Sequence, residues 1–381
     1  MATRKTLRPE GGQARQPPAR PGRPARKRSA ARGRPGTDGA ARKGEAASDG
    51  AALQERPIGQ NGWPEGGRTR ATRLPRGAGT KRTVREYEVG EHMLRLSNLE
   101  KVFYPSTGFT KGDVINYYAR ISPFLLPHMR GRPLTLKRYP EGVEGEFFYQ
   151  KTCPSNHPEF LETADVWSEG RGADIHYCMA NNLESLVWLA NAGNLEIHTF
   201  LHRAPDVLRP ESVVFDLDPG LPAEILACAE VGLWIRDHLR SLGLKSFIKA
   251  SGGKGMQLYI PLHGDVSYDD TKPFARSLAQ AMETLHPRRI TSNMRKDLRK
   301  GKIFIDWSQN DDHKTTVCVY SLRAQKEPRV STPVLWKEVE EAHDAQDASL
   351  LRFGPEQAVE RAERLGDLFA PVLTLRQRLP K

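Results

Sequence analysis

From about Val89 the chain alternates short apolar runs with longer segments in which apolar residues recur three and four positions apart. That spacing is typical of helices, and short runs bounded by Gly or Pro are typical of strands. The predicted helices span residues 111–129 (with Thr110 as N-cap), 181–191, 222–242, 271–285 and 355–365. The predicted strands span residues 132–139, 195–201, 212–218, 246–250, 256–261 and 302–307. The pattern predicts one compact α+β domain with mixed sheets, although two subdomains around a cleft also fit it.

The first 83 residues lack this periodicity and are rich in Arg, Gly, Pro and Ala. Residues 1–80 carry 18 Lys+Arg and 6 Asp+Glu, so they hold the whole net charge of +12, and the other residues are balanced. Such a segment cannot bury enough surface to offset its ordering entropy. We therefore predict a disordered basic tail over 1–83 and a folded domain over 84–381. The tail is either a solubilising leader or mis-assigned start, or an arm that binds DNA without sequence choice.

Composition excludes several classes of protein. No stretch approaches the roughly 20 apolar residues of a membrane-spanning helix, and the basic N-terminus lacks the apolar core of a secretory signal. The four cysteines are widely spaced, without a C-x-x-C pair. That spacing excludes a disulfide scaffold and a cysteine-based zinc site, and it fits a reducing cytosol. The cysteines are Cys153, Cys178, Cys228 and Cys318.

Two acids, Asp216 and Asp218, close a predicted apolar strand and precede a Pro-Gly turn. Residues i and i+2 of a strand point to the same face, so both carboxylates project together. Like charges held this close repel unless a cation lies between them, and oxygen ligands favour Mg²⁺ or Mn²⁺ over zinc. The simpler interpretation is a pair of turn-capping acids.

A third acid, Asp306, ends another apolar run, KIFID. An acid on a neighbouring strand would complete a two-metal nucleotidyl-transfer site, in which one ion activates a hydroxyl and the other holds the leaving pyrophosphate. Alone, Asp306 would be an ordinary surface acid at a strand end. With Asp216 and Asp218 it predicts a metal-dependent catalytic centre.

The loop Ser251–Gly255, SGGKG, joins two predicted strands. It is not a Walker A loop, because the spacing differs and a strand follows instead of a helix. Its glycines would let backbone N–H groups approach a phosphate, and Lys254 adds a positive charge. The alternative is a flexible hairpin loop without a ligand.

Three further features have both a structural and a functional interpretation. His198 lies inside a predicted strand and is either a structural histidine or a ligand contact. The basic segment 293–302 is either a solvated helix face or a track for a phosphate backbone. Phe147 and Phe148 are adjacent, so only one ring can face the core of a strand. The other ring is covered by a loop or is free to stack on a base.

The motifs VVFDLDPG, SGGKGMQLYIPL and KGKIFIDWSQNDDHKTTVCVYSLRAQ, in this order, resemble the polymerase domain of bacterial ligase D, within the archaeo-eukaryotic primase superfamily. The piece from LSNLEKVFYP to EGEFFYQK resembles the same family. The resemblance covers about residues 94–370. It implies an α+β primase-polymerase fold, with mixed and antiparallel sheets flanked by helices around a central catalytic cleft.

The resemblance implies a DNA-dependent nucleotidyltransferase that fills gaps and extends ends in non-homologous end joining, prefers ribonucleotides, and uses Mn²⁺ or Mg²⁺ in a two-metal site. Asp216, Asp218 and Asp306 would be its metal-binding catalytic acids. Lys101 and Lys111 would hold a DNA 5′-phosphate, and Phe147 and Phe148 would stack at the template strand. The residues implied for the incoming NTP or dNTP are His198, Ser251 (near the ribose 2′-hydroxyl), Gly252, Lys254, Gln257, Gln309 and Arg323.

The family's full-length proteins also carry a ligase module with a lysine nucleophile in K-x-D-G, and this tetrapeptide is absent from the sequence. We therefore expect a stand-alone polymerase that works with the Ku end-binding protein and a separate DNA ligase. The expected location is the bacterial cytoplasm, in association with the nucleoid and without a membrane.

Gln257 departs from the family pattern, which has histidine at this position. Losing a charge-assisted contact would weaken triphosphate binding by about 1–2 kcal/mol, so Gln257→His should lower the apparent KM for the nucleotide. The departure also fits a catalytically weak DNA-end-binding module. The three clustered acids argue against this alternative, because a site that had lost catalysis would not need them. A primase for plasmid or phage replication is a third possibility. Without the resemblance, the acids would also suit a metal-dependent glycosyltransferase.

Overall fold

A computed structural model describes residues 83–262 and 264–380, and the predicted tail lies outside these residues apart from Thr83. The first nine strands are β1 (Val84–Val89), β2 (His92–Ser97), β3 (Val102–Tyr104), β4 (Phe109–Thr110), β5 (Leu134–Arg138), β6 (Phe148–Gln150), β7 (Glu162–Ser168), β8 (Ala173–Met179) and β9 (Asn194–Thr199). The others are β10 (Ser212–Pro219), β11 (Phe247–Ala250), β12 (Met256–Pro261), β13 (Ile290–Thr291), β14 (Ile303–Asp306), β15 (Thr316–Val317), β16 (Leu322–Ala324), β17 (Pro328–Val330) and β18 (Thr332–Val334).

The α-helices are α1 (Lys111–Met129), α2 (Leu183–Asn191), α3 (Ile225–Ser241), α4 (Tyr268–Leu285), α5 (Trp336–Asp344), α6 (Pro355–Leu365) and α7 (Pro371–Thr374). Helix α1 begins where expected, because the Thr110 hydroxyl accepts from the Asp113 N–H and the Asp113 carboxylate accepts from the Thr110 N–H. Within the described part of the chain, no helix is both long and apolar enough to span a membrane.

Two sheets organise the fold. The larger has the strand order β13-β14-β10-β12-β11-β18, antiparallel except for the pair β13–β14. The smaller has the order β15-β9-β5-β6 and is antiparallel throughout. The remaining strands form four two-stranded ribbons, β1–β2, β3–β4, β7–β8 and β16–β17. The predicted α+β fold with mixed and antiparallel sheets is therefore confirmed.

The two faces of β10 pack against different hydrophobic cores, and this alternation places the functional residues. Val213, Phe215 and Leu217 belong to the core that the larger sheet shares with α3 and α4. Val214, on the opposite face, belongs to the core that contains α1, α2 and the smaller sheet. Asp216 and Asp218 share the face of Val214, so they point toward the side of the smaller sheet.

Most predicted elements are present, and α1, α6 and β12 have the predicted bounds. The elements missed by the pattern are short or weakly apolar. Helix α5 buries only Val339 and Ala342, and the ribbon β7–β8 leaves Trp167 about half exposed. Such elements are stabilised by the packing of one face, which a local pattern does not reveal.

The expectation of unpaired cysteines is wrong for one pair. Cys153 and Cys178 form a disulfide, with their Cα atoms 4.9 Å apart. Cys178 lies on β8, and the Cys153 N–H donates to the His176 carbonyl of the same strand. The segment before β7 therefore lies along β8 and brings two distant positions together, which spacing along the chain did not indicate. Cys228 and Cys318 are free thiols, and both are buried.

Candidate active site

The three predicted catalytic acids converge on one side of the larger sheet. Asp216 on β10 lies directly opposite Asp306 on β14, and Asp218 is two residues further along the same face of β10. Side chains of directly opposed residues lie on the same side of a sheet, with Cβ atoms roughly 5 Å apart. The structure thus assembles the carboxylate cluster expected from D-x-D and KIFID.

Burial and mutual repulsion make it unfavourable to ionise the carboxyl groups of Asp216 and Asp218. Burial, followed by the charges of Asp218 and Asp306, raises the pKa of Asp216 to about 7. Burial and Asp306 also raise the pKa of Asp218, although Arg299 and Arg323 act in the opposite direction. Carboxylates that repel one another in a partly buried setting are the donor set that divalent cations neutralise. The charge and the oxygen donors of these residues therefore fit a divalent cation.

The residues after β14 fix the carboxylate of Asp306. One oxygen accepts from the Ser308 N–H at 3.0 Å and from its hydroxyl at 2.6 Å, and the other accepts from the Gln309 amide at 2.8 Å. Gln309, predicted as a nucleotide contact, thus donates to Asp306, which is predicted as a catalytic acid.

On the other side of Asp216, a row of polar residues crosses the sheet. Gln257 on β12 lies opposite Asp216, and Lys249 on β11 lies opposite Gln257. Gln257 faces Asp216 across the two strands, and its polar side chain lowers the pKa of the Asp216 carboxyl. Lys249 donates to the Gln257 amide oxygen at 2.7 Å, and burial lowers the pKa of Lys249 to about 7. Gln257 is buried and engaged within the sheet.

The Gly-rich loop follows β11 and turns tightly beside Arg323. Gly252 has φ +70°, and a Cβ there would lie 2.7 Å from the Val330 carbonyl oxygen, so only glycine fits. Arg323 donates to the Ser251 carbonyl at 2.6 Å and so fastens the loop to β16. Lys254 is exposed, and together with the loop glycines it lines a pocket of about 400 Å³.

Glu196 on β9 connects several predicted nucleotide contacts. Its buried carboxylate lies 3.1 Å from His198 Nε2, 3.3 Å from Arg323 Nε and 3.8 Å from Lys137 Nζ. Burial alone would raise the pKa of this carboxyl. The His198 hydrogen bond and the Arg323 charge outweigh that effect and lower it to about 2. Glu196 therefore stays ionised and holds His198 and Arg323 in fixed positions.

Both predicted stacking aromatics lie at the surface. Phe147 is 51% exposed and Phe148 46%, so the expectation that one of the rings faces the core is wrong. Phe148 begins the short edge strand β6, in which Phe148 and Tyr149 are both exposed. Phe147 stacks on Tyr139 with ring centroids 5.3 Å apart, and the Lys137 ammonium lies 4.2 Å from its centroid. The exposed ring of Phe147 is therefore held in place by Tyr139 and Lys137.

The two predicted phosphate lysines line one pocket. The pocket has a volume of about 440 Å³, and its lining includes Asn98, Lys101, Lys111 and Arg138. Lys101 donates to the Pro140 carbonyl at 2.9 Å and pairs with Glu141. Lys111 is buried at the first turn of α1 and donates to the Ser97 carbonyl.

The basic segment 293–302 is a loop with a single 3-10 turn, Lys296–Arg299, and not an α-helix. The Arg299 guanidinium lies over the Phe304 ring at 3.6 Å. A Cβ at Gly220 would collide with the Arg299 carbonyl, at 1.8 Å. The segment is therefore packed against the turn that follows Asp218, beside the carboxylates.

Among the described residues, Asp311, Asp312 and His313 are the group of potential metal ligands whose ligand atoms all lie within 4.8 Å of one another. Asp311 already pairs with Lys272 and lies 2.6 Å from His313 Nδ1. Because its charge is compensated by these neighbours, we assign no role to this group.

Fold and site together define a domain of the primase-polymerase type. The family model described as "LigD, primase-polymerase domain" matches residues 110–369, and the chain belongs to this family. The chain is 37% identical over 281 residues to the multifunctional non-homologous end joining protein LigD of Mycolicibacterium smegmatis, covering 73% of this chain and 36% of that protein. It is 31% identical over 248 residues to the bifunctional non-homologous end joining protein LigD of Bacillus subtilis, covering 65% of this chain and 39% of that protein.

A solved structure has the same fold. The polymerase domain from Mycobacterium tuberculosis ligase D, in complex with DNA, matches with a TM-score of 0.68 and 37% identity, covering 74% of this chain and 98% of that chain. The chain spans little more than a third of the length of the Mycolicibacterium and Bacillus relatives.

Two residues of the site, Glu196 and Lys249, were not predicted from the sequence. Glu196 and His198 have the same i, i+2 spacing in an apolar strand as Asp216 and Asp218, and this signal could have identified the acid. Lys249 is a lone cation within the apolar run FIKA. A lysine in such a run needs a buried polar partner, but the sequence does not show that the partner is Gln257.

Proposed function

We propose that the chain is a DNA-directed nucleotidyltransferase that extends or gap-fills DNA ends during non-homologous end joining. The observation that carries this proposal is the alignment of Asp216 with Asp306 across β10 and β14, with Asp218 beside them, in a primase-polymerase domain. Three acids that repel one another in a partly buried site destabilise a fold, so their clustering points to a cationic ligand.

Asp216, Asp218 and Asp306 would hold the divalent cations, Mn²⁺ or Mg²⁺. Ions bound there supply Lewis-acid chemistry: they lower the pKa of an attacking hydroxyl and neutralise the leaving pyrophosphate. The contribution of the protein is orientation, because Ser308 and Gln309 fix the Asp306 carboxylate and Gln257 lies directly opposite Asp216.

The incoming nucleotide would bind between the Gly-rich loop and β9. Lys254 is exposed for contact with phosphate, and Arg323 and His198 are held by Glu196. We assign to Ser251 a contact with the ribose 2′-hydroxyl, which would favour ribonucleotides over deoxyribonucleotides.

The DNA would be a gapped or broken duplex with a 5′-phosphate. Lys101 and Lys111 line one pocket of a size suited to a phosphate group with its sugar, and Phe147 and Phe148 offer exposed rings for the template bases. This combination supports repair synthesis over priming on an unprimed strand. Ku and a DNA ligase would be its partners in end joining. The protein would act at the bacterial nucleoid.

The test is extension of a primer on a gapped duplex, with and without a downstream 5′-phosphate, in Mn²⁺ with either NTPs or dNTPs. We expect the wild-type protein to extend the primer and Asp216→Ala not to. Extension should be stronger with ribonucleotides and with the 5′-phosphate. Tight, phosphate-dependent DNA binding without extension would contradict the proposal and identify an end-binding module.

A further inference from the structure

Lys249 is a fully buried lysine close to the candidate active site, with 0% of its surface exposed. Its terminal nitrogen hydrogen-bonds to the Ser331 hydroxyl at 2.6 Å, to the Gln257 amide oxygen at 2.7 Å and to the Val317 carbonyl at 3.1 Å. None of these partners is charged. A buried polar group is costly without hydrogen-bond partners, so the placement of this amine beside Gln257 calls for a local explanation.

The contact with Lys249 determines which way the Gln257 amide points. Lys249 donates to the amide oxygen of Gln257, so this oxygen faces Lys249 and the NH₂ group faces away from it. Away from Lys249 lies Asp216, which is directly opposite Gln257 in the register of β10 and β12. Lys249, Gln257 and Asp216 thus form one polar row across three adjacent strands.

We propose that Lys249 is a positioning residue, which acts through Gln257 to keep an N–H donor aimed at the metal-site carboxylate of Asp216. Gln257 then serves the carboxylate, and an incoming triphosphate is left to other groups. The inference rests on the proposed function, because it assigns Asp216 to a divalent cation.

Removing Lys249 would remove the hydrogen bond that fixes the orientation of the Gln257 amide. A Gln side chain without a fixed neighbour can turn about its last bond and present its oxygen to Asp216, where lone pairs oppose the carboxylate. The carboxylate would lose its orientation and hold a cation less well. Methionine is the suitable replacement at both positions, because it approximates the shape of Lys and of Gln without donor or charge.

The test is a double-mutant cycle read out by Mn²⁺ binding, with free Mn²⁺ measured by electron paramagnetic resonance at pH 8 without nucleotide or DNA. We expect Lys249→Met to weaken Mn²⁺ binding three- to tenfold when Gln257 is present. In the Gln257→Met background the same substitution should change Mn²⁺ binding less than twofold, because no amide remains to be positioned. Equal weakening in both backgrounds would overturn the inference.

Two further variants separate positioning from loss of packing. Ser331→Ala removes another partner of Lys249 and leaves the contact with Gln257 in place. It should lower the melting temperature and change Mn²⁺ affinity less than twofold; weakening as large as that of Lys249→Met would overturn the inference. Lys249→Gln keeps a donor without the charge and should restore Mn²⁺ affinity to within threefold of wild type. If Lys249→Met does not fold, a folded Lys249→Gln protein that binds Mn²⁺ as weakly as Gln257→Met would overturn it too.

Asp216→Ala distinguishes failure of the inference from failure of the proposed function. Wild-type binding of Mn²⁺ no tighter than that of Asp216→Ala would contradict the metal role of the carboxylates, and the inference would fail with it. Binding that depends on Asp216 but responds identically to Lys249→Met in both backgrounds would overturn the inference alone.

Discussion

Asp216 and Asp306 lie directly opposite each other on adjacent antiparallel strands, where two carboxylates repel. We expect Asp216→Asn to stabilise the metal-free protein at pH 8 by about 2 kcal/mol, because the raised pKa of Asp216 reflects a cost of ionising this group in the fold. The same variant should lose primer extension. The measurement is thermal unfolding in the presence of a chelator.

Mn²⁺ provides the control for this prediction. Saturating Mn²⁺ should raise the melting temperature of the wild-type protein and have little effect on Asp216→Asn, because a ligand that binds only the folded state stabilises it. A metal-free Asp216→Asn protein less stable than wild type would contradict the view that repulsion dominates at this site.

Glu196 is expected to organise the nucleotide contacts. Glu196→Gln removes the charge that holds His198 and Arg323, so the KM for the nucleotide should rise about tenfold. Stability should fall by about 3 kcal/mol, because Arg323 and Lys137 lose a buried counter-charge. Steady-state kinetics and denaturant unfolding measure the two effects. Glu360→Gln, on the exposed face of α6, is the matched control and should change neither.

The pH dependence of stability gives an independent check on Glu196. Its pKa is about 2 in the fold, against an ordinary value of 4.5. A depressed carboxyl pKa contributes stability that is fully present above pH 4.5 and is lost as the pH falls toward 2. The acid-induced loss of stability between pH 4.5 and 2 should therefore be smaller in Glu196→Gln. An unchanged acid profile would show that Glu196 is not ionised in the fold.

Lys101 should make extension sensitive to the 5′-phosphate. Its ammonium lines the pocket that also contains Lys111, and its partner Glu141 is largely exposed, so the ion pair can be exchanged for a phosphate at small cost. Lys101→Ala should abolish the preference for a 5′-phosphorylated gap and reduce the salt dependence of DNA binding by about one counterion. Lys337→Ala, which removes another exposed, paired lysine, is the control. A retained phosphate preference in Lys101→Ala would place the phosphate elsewhere.

Phe147 should contribute to binding of the template strand. Stacking of a base on an aromatic ring contributes about 1–3 kcal/mol, so Phe147→Ala should weaken binding to gapped DNA on the order of tenfold. The ring is supported by Tyr139, which limits the ordering cost on binding. Fluorescence anisotropy with labelled gapped DNA measures the effect. Trp167→Ala removes a similarly exposed ring on β7 and should leave binding unchanged; equal losses in both variants would indicate nonspecific surface contact.

The sequence predicted the strands and loops that carry the candidate site, but only some of the contacts between its side chains. The strand bearing Asp216 and Asp218 was predictable because β10 is apolar on one face and its acids share the other. The meeting of Asp216 with Asp306 depends on the register between β10 and β14, which the chain does not show locally. The contact of Lys249 with Gln257 likewise depends on strand order, and the contact of Glu196 with Arg323 depends on the packing of the ribbon β16–β17 against β9. The disulfide between Cys153 and Cys178 depends on the docking of the segment before β7 along β8.

The network around Gln257 changes what a histidine at this position is expected to do. The sequence suggested that Gln257→His lowers the KM for the nucleotide by supplying a cation. In the structure, Lys249 donates to the side chain at 257, so an imidazole there would have to accept that hydrogen bond and remain neutral. We therefore expect Gln257→His alone to leave KM unchanged, and Gln257→His with Lys249→Met to lower it up to roughly tenfold.

The experiment compares KM and kcat for wild type, both single variants and the double variant at saturating Mn²⁺, with Ser331→Ala as the control for disturbed packing. A tenfold fall in KM with Gln257→His alone would mean that Lys249 does not control position 257, and that the amide of Gln257 faces the nucleotide.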